Sequence, residues 1–126
     1  MAIISVTSTF GVAPQLLESD MVAVKALGYS TVINNRPDDE PGHPSSNKDL
    51  QAAAEAQGLK YIFVPVFGMN FPAETVAEVQ SILDSHNKVL AFCRTGTRSI
   101  NLWARAQPAN IDVAKLVAPT GLKLAL

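Results

Sequence analysis

The sequence predicts a single α/β domain: a parallel-type sheet of four to five strands flanked by helices. Three observations predict it. Short β-branched or apolar runs (IISV, TVIN, KYIFVPV and KVLAF) alternate with longer stretches of helical spacing. Pro14, Gly28, Gly58 and Pro72 stand at the junctions between them. The chain of 126 residues, 48% hydrophobic, is long enough to bury one sizeable core across residues 1–126.

Residues 3–6 form the first expected strand. Pro14 opens a helix over 14–28, with Leu16, Leu17, Met21, Val24 and Leu27 at helical spacing and Gly28 as its stop. Residues 31–34 (TVIN) are β-branched and read as a strand. The segment 35–46, NRPDDEPGHPSS, holds three prolines and reads as a long loop, a class more often functional than idle. Asn47 is the expected cap of an alanine-rich helix that ends at Gly58. KYIFVPV is a buried-type strand, FGMNFP a loop, and Pro72 starts a helix with Val76, Val79, Ile82 and Leu83 on one face. KVLAF is a strand, CRTGTR a loop and SINLWARAQ the helix after it; the tail 108–126 has one more short helix before Pro119. This order implies a parallel sheet covered on both faces, with ligands bound beyond the carboxyl ends of the strands. Loops 35–46, 67–72 and 93–98 converge there.

The formal net charge of −1 excludes a broad nucleic-acid-binding surface, so affinity for anions must come from a local site. No apolar run reaches the ~18 residues that span a bilayer. The start, MAIISVTSTFGVAP, lacks the basic and apolar regions of a signal peptide. One cysteine cannot form an internal disulfide, which fits a reducing, cytoplasmic compartment. No His, Cys and carboxylate cluster has metal-ligand spacing, so neither a metal nor a cofactor is expected. His86 reads as a solvated turn residue and Trp103 as core; His43, in the proline-rich loop, carries no expected acid–base role.

The chemistry concentrates in CRTGTRS, residues 93–99. Gly96 permits a tight strand-to-helix turn. Backbone N–H groups of Arg94, Thr95, Gly96 and Thr97 can form an anion nest, reinforced by the N-terminus of the following helix. Arg98 can clamp an oxyanion with two parallel hydrogen bonds, and Ser99 can donate to a sulfur anion. A thiol in that field is an expected nucleophile.

These segments carry a resemblance. VAPQL, STVINNRPDDEPGHPS, KYIFVPV, and VLAFCRTGTRS followed by LW are similar to the phosphatase-like domain of the beta-lactamase-hydrolase-like family, over roughly residues 3–106. The resemblance implies a fold like that of dual-specificity cysteine phosphatases, with Cys93 as nucleophile, Arg94 to Arg98 as anion loop and Ser99 steadying the thiolate. That family also occurs fused to a metallo-beta-lactamase-like domain; the chain has no HxHxDH-type run. Three departures matter. Four residues rather than five separate Cys93 from Arg98, which makes the loop similar to that of single-domain rhodaneses as well. Phe92 stands where such phosphatases often have histidine. FGMNF offers Asn70 where a general-acid aspartate is usual; Asp38 and Asp39 are the alternative acids, and Arg36 in the same loop is a further anion ligand. Three functions stay open: a phosphatase-like hydrolase acting on a small anionic substrate, a rhodanese-like sulfurtransferase, and a non-catalytic anion-binding or redox-sensing module.

Overall fold

The computed structural model describes residues 2–125. Strands β1 (Ile4–Thr7), β2 (Phe10–Ala13), β3 (Thr31–Asn34), β4 (Lys60–Phe63) and β5 (Val89–Phe92) form one sheet in the order β1-β2-β5-β3-β4. All neighbours run parallel except β1 and β2, so the sheet is mixed. Helices α1 (Met21–Ala26), α2 (Asn47–Ala56), α3 (Ala73–Ser85), α4 (Thr97–Arg105) and α5 (Val113–Val117) cover it. Among the described residues no helix is long and apolar enough to cross a membrane.

Alternation along the strands assigns the buried side chains to two faces. Phe10, Val12, Ile33, Val89 and Ala91 pack with Val79 and Ile82 of α3, Ile100 and Trp103 of α4, and Val117 of α5. Phe10 and Trp103 stack with ring centroids 5.4 Å apart. Val32, Tyr61, Leu90 and Phe92 face the other way, onto Met21 and Val24 of α1 and Leu50 and Ala54 of α2.

Four expectations need correction. The sequence reading has no strand at 10–13, where glycine weakens the local signal. The structure puts β2 there, paired with β1 and β5, and the glycine is required within it: a Cβ at Gly11 would overlap the Tyr29 hydroxyl and lie 3.1 Å from the Ile4 carbonyl oxygen. The helix expected from Pro14 begins only at Met21, after a 3₁₀ turn at Glu18–Asp20. The preceding residues are engaged elsewhere: Gln15 N–H donates to the Arg94 carbonyl (3.1 Å) and Leu17 N–H to Asp20 Oδ2 (2.7 Å). The cap of α2 is Ser46, whose hydroxyl accepts from Asp49 N–H (3.1 Å), while Asn47 is the first helical residue. Finally, β4 ends at Phe63 rather than running through KYIFVPV. Beyond it, Val64 and Val66 N–H donate to the Asn34 and Asn35 carbonyls (both 2.9 Å), so the extended chain still pairs with the segment after β3.

The close approach at Gly11 makes a prediction. Gly11→Ala should destabilise the fold by about 1–3 kcal/mol, the range for overpacking a full core. Chemical denaturation should show a lower midpoint with an unchanged slope.

Candidate active site

The four parallel strands end in register: Ala13 pairs with Phe92, Phe92 with Asn34, and Asn34 with Phe63. The residues that follow are therefore delivered to one edge. They are Gln15 after β2, Cys93 after β5, and Asn35 and Arg36 after β3.

Cys93 is buried, at 1% exposure, as the first residue beyond β5. Its sulfur accepts a hydrogen bond from Gly96 N–H at 3.1 Å, which folds the loop back over it. Gly96 sits at φ +91°, the left-handed conformation that allows this reversal, and is the N-cap of α4. Arg94 and Thr95 are exposed; the Thr95 hydroxyl donates to Thr97 Oγ1 at 3.1 Å.

Ser99 does not hydrogen-bond to the sulfur. Its hydroxyl has one hydrogen and gives it to Asn35 Oδ1 at 2.8 Å. Asn35 is fixed for this by donating from its own amide to the Val64 carbonyl (2.8 Å) and from its backbone to the Phe92 carbonyl (2.8 Å). Ser99 thus ties α4 to the ends of three strands.

Arg98 is held by a residue the sequence reading did not single out. Its Nη1 donates to Glu40 Oε2 (2.5 Å) and to the Val66 carbonyl (3.0 Å), and its Nη2 to Glu40 Oε1 (3.0 Å). Glu40 also accepts from Arg36 Nε at 3.1 Å and so bridges two guanidinium groups. Burial works against the charge of Arg98, but the hydrogen bonds to Glu40 and the attraction of the Cys93 sulfur outweigh it and raise its pKa. The Arg98 hydrogen bonds, opposed by partial burial and reinforced by Arg36, hold the Glu40 carboxyl below its ordinary value.

Other expected site residues are placed differently. Arg36 is 4% exposed, and its nitrogens serve Glu40, Gln15 Oε1 (2.9 Å) and the Pro41 carbonyl (2.9 Å). It organises the loop instead of presenting itself to an external anion. Asp38 is exposed and accepts from Asn47 N–H at 2.7 Å, closing the start of α2; its carbonyl oxygen contacts His43 Nε2. Asp39 is exposed. Neither aspartate hydrogen-bonds to Arg98 or Cys93. The four-residue interval from Arg36 to Glu40 was the available clue, yet that interval signals an ion pair on a helix, and this segment is a loop. Among the described residues no group of three or more His, Cys, Asp or Glu side chains is arranged to hold a metal.

A lowered carboxyl pKa adds stability that is complete above the unfolded value of about 4.3 and is lost as pH falls through the folded value. Glu40→Gln should therefore lower Tm by a constant amount between about pH 5 and 7, and the gap to the parent should narrow below about pH 4. Thermal melts of both proteins across that range check this.

A family model for the Beta-lactamase hydrolase-like protein, phosphatase-like domain, matches residues 2–110. A Beta-lactamase hydrolase-like protein of Xylella fastidiosa is 33% identical over 108 residues, which cover 85% of this chain. The chain spans about a quarter of the length of the curated relatives it matches (25% for this one). Among solved structures, a phosphatase candidate from Neisseria meningitidis superposes with a TM-score of 0.83 at 27% identity, covering 99% of this chain and 92% of that one. A mutant form of Tk-PTP superposes at 0.73 with 17% identity, covering 92% and 78%, a likeness of fold alone.

Proposed function

Because the chain belongs to the Beta-lactamase hydrolase-like, phosphatase-like domain family and has the fold of cysteine phosphatases, we propose that it is a cysteine-dependent hydrolase of small phosphomonoesters. The observation that carries this reading is the pairing of a buried sulfur under the Gly96 N–H with a guanidinium fixed beside it by Glu40 and the Val66 carbonyl.

In the proposed reaction the Cys93 thiolate attacks phosphorus. An S–P bond forms, the P–O ester bond breaks with its electron pair going to the departing oxygen, and that oxyanion takes its proton from solvent water. Water then attacks the phosphocysteine, breaking the S–P bond and releasing inorganic phosphate and the thiolate. Arg98 and the loop amides stabilise the charge on the transferring group throughout. Glu40 is held ionised between two arginines and is a poor proton donor. Asp38 is occupied at the start of α2. Phenolic leaving groups, which need little protonation, are therefore the favoured substrates.

The interval of four residues between Cys93 and Arg98 favours a second reading, sulfur transfer through a Cys93 persulfide. That chemistry needs no acid and a smaller cradle. One purified sample assayed for p-nitrophenyl phosphate hydrolysis and for thiosulfate-to-cyanide sulfur transfer separates them. Phosphate release that depends on Cys93 supports the hydrolase. Thiocyanate formation alone overturns it and leaves phosphatase-like as a description of fold.

A further inference from the structure

Asn101 is a polar residue in the middle of α4 with 0% exposure. Asparagine is a poor helix former, and a buried amide must find partners. Its partners lie in the tail. Nδ2 donates to the Thr97 carbonyl (2.9 Å) and to the Lys123 carbonyl (2.9 Å), and Oδ1 accepts from Ala125 N–H (2.6 Å). The amide thus pairs with residues 123 and 125 as a strand neighbour would. Arg105, one turn on, donates to the Ala125 carbonyl at 2.6 Å and lays its guanidinium 4.3 Å from the centre of the Phe71 ring, in the 67–72 loop.

The same strap reaches the cysteine loop. A Cβ on Gly96 would lie 3.6 Å from Leu122 Cδ1, so Leu122 walls the glycine whose N–H meets the Cys93 sulfur. Leu122 and Leu124 also pack against the core on that face. Residues 121–125 therefore meet the first turn of α4 directly at Gly96, through Leu122, and are joined to Thr97 through the Asn101 amide, between Cys93 and Arg98.

We infer that residues 121–125, latched through Asn101, are a positioning strap for the Cys93–Gly96 turn, and that Asn101 is a positioning residue for the chemistry at Cys93. The inference rests on Cys93 being the reacting group. Arg98 has an independent anchor in Glu40, so releasing the strap loosens the sulfur and the Gly96 N–H while anion binding is kept.

Two variants test it. Asn101→Ala cuts the latch at the helix. Ala125→Pro removes the strap's N–H without touching α4 or the core, and serves if the first variant does not fold. Two readouts are taken well below Tm: kcat and KM for p-nitrophenyl phosphate, and the rate of Cys93 alkylation by iodoacetamide. The expected result is a kcat lower by about 10- to 100-fold with KM within about twofold, since small misplacement of reacting groups is costly. Alkylation should quicken by about threefold or more as local opening exposes the sulfur. A lower Tm with both rates unchanged overturns the inference and leaves the strap as packing. Absence of p-nitrophenyl phosphate turnover in the parent overturns only the hydrolase reading, because alkylation still decides the strap.

Discussion

Cys93→Ser is expected to reduce turnover by more than about 1,000-fold in whichever of the two assays the parent is active, because a hydroxyl at neutral pH is neither ionised nor comparably nucleophilic. The fold should survive. The sulfur is buried at the end of β5 and accepts the Gly96 N–H at 3.1 Å. A serine oxygen can accept the same hydrogen bond over a shorter reach, but its own hydrogen then lies in a buried site. That costs about 1–2 kcal/mol, within the range for a poorly satisfied buried hydroxyl. The variant should therefore melt a few degrees below the parent, still cooperatively. Separating the two effects is the point of the comparison: activity falls by orders of magnitude while stability moves slightly. Turnover near that of the parent in a folded Cys93→Ser protein would remove the thiolate from both the hydrolase and the sulfurtransferase readings.

The fold was legible where local pattern and tertiary need agree. TVIN and KVLAF are β-branched or apolar and central in the sheet, so strands at 31–34 and 89–92 follow from the residues alone. Pro72 and the spacing of Val79 and Ile82 mark α3 in the same way. Legibility failed where a distant group dictates the local structure. Gly11 breaks the strand pattern of β2 because Tyr29 covers it. Pro14 to Leu17 forgo helix because Gln15 is bound to Arg94 and Arg36. In the site, CRTGTRS announces itself through residue types packed into seven positions. The run of three acids at 38–40 does not say which carboxylate turns inward. That choice depends on the path of a proline-rich loop, fixed by the Asp38 contact with Asn47 and the Arg36 contact with Pro41. A sequence shows the acids; only the folded loop selects Glu40.

Arg98→Lys is expected to lower kcat/KM by about 100- to 1,000-fold, the scale seen when one donor to a developing oxyanion is lost. The reason is geometric. A guanidinium has five N–H donors on a rigid plane. In this protein Nη1 spends both of its hydrogens, one on Glu40 Oε2 and one on the Val66 carbonyl, and Nη2 spends one on Glu40 Oε1. The remaining Nη2 hydrogen and Nε–H share the other edge of the plane, which has no oxygen partner among the described residues. One edge is thus a structural latch and the other, in the proposed reaction, takes the anion; only a planar fork serves both at once. A lysine ammonium is a point charge on a flexible stem. It can pair with Glu40 or with an anion over the sulfur, and the carboxylate is always present. The variant should therefore retain much of its thermal stability, as the Glu40 contact is partly rebuilt, while losing substrate affinity and rate together. Kinetics on p-nitrophenyl phosphate alongside melts of the same samples read both quantities. Full activity in Arg98→Lys would show that the loop amides alone carry the charge, and that Glu40 fixes an arginine with no part in the reaction.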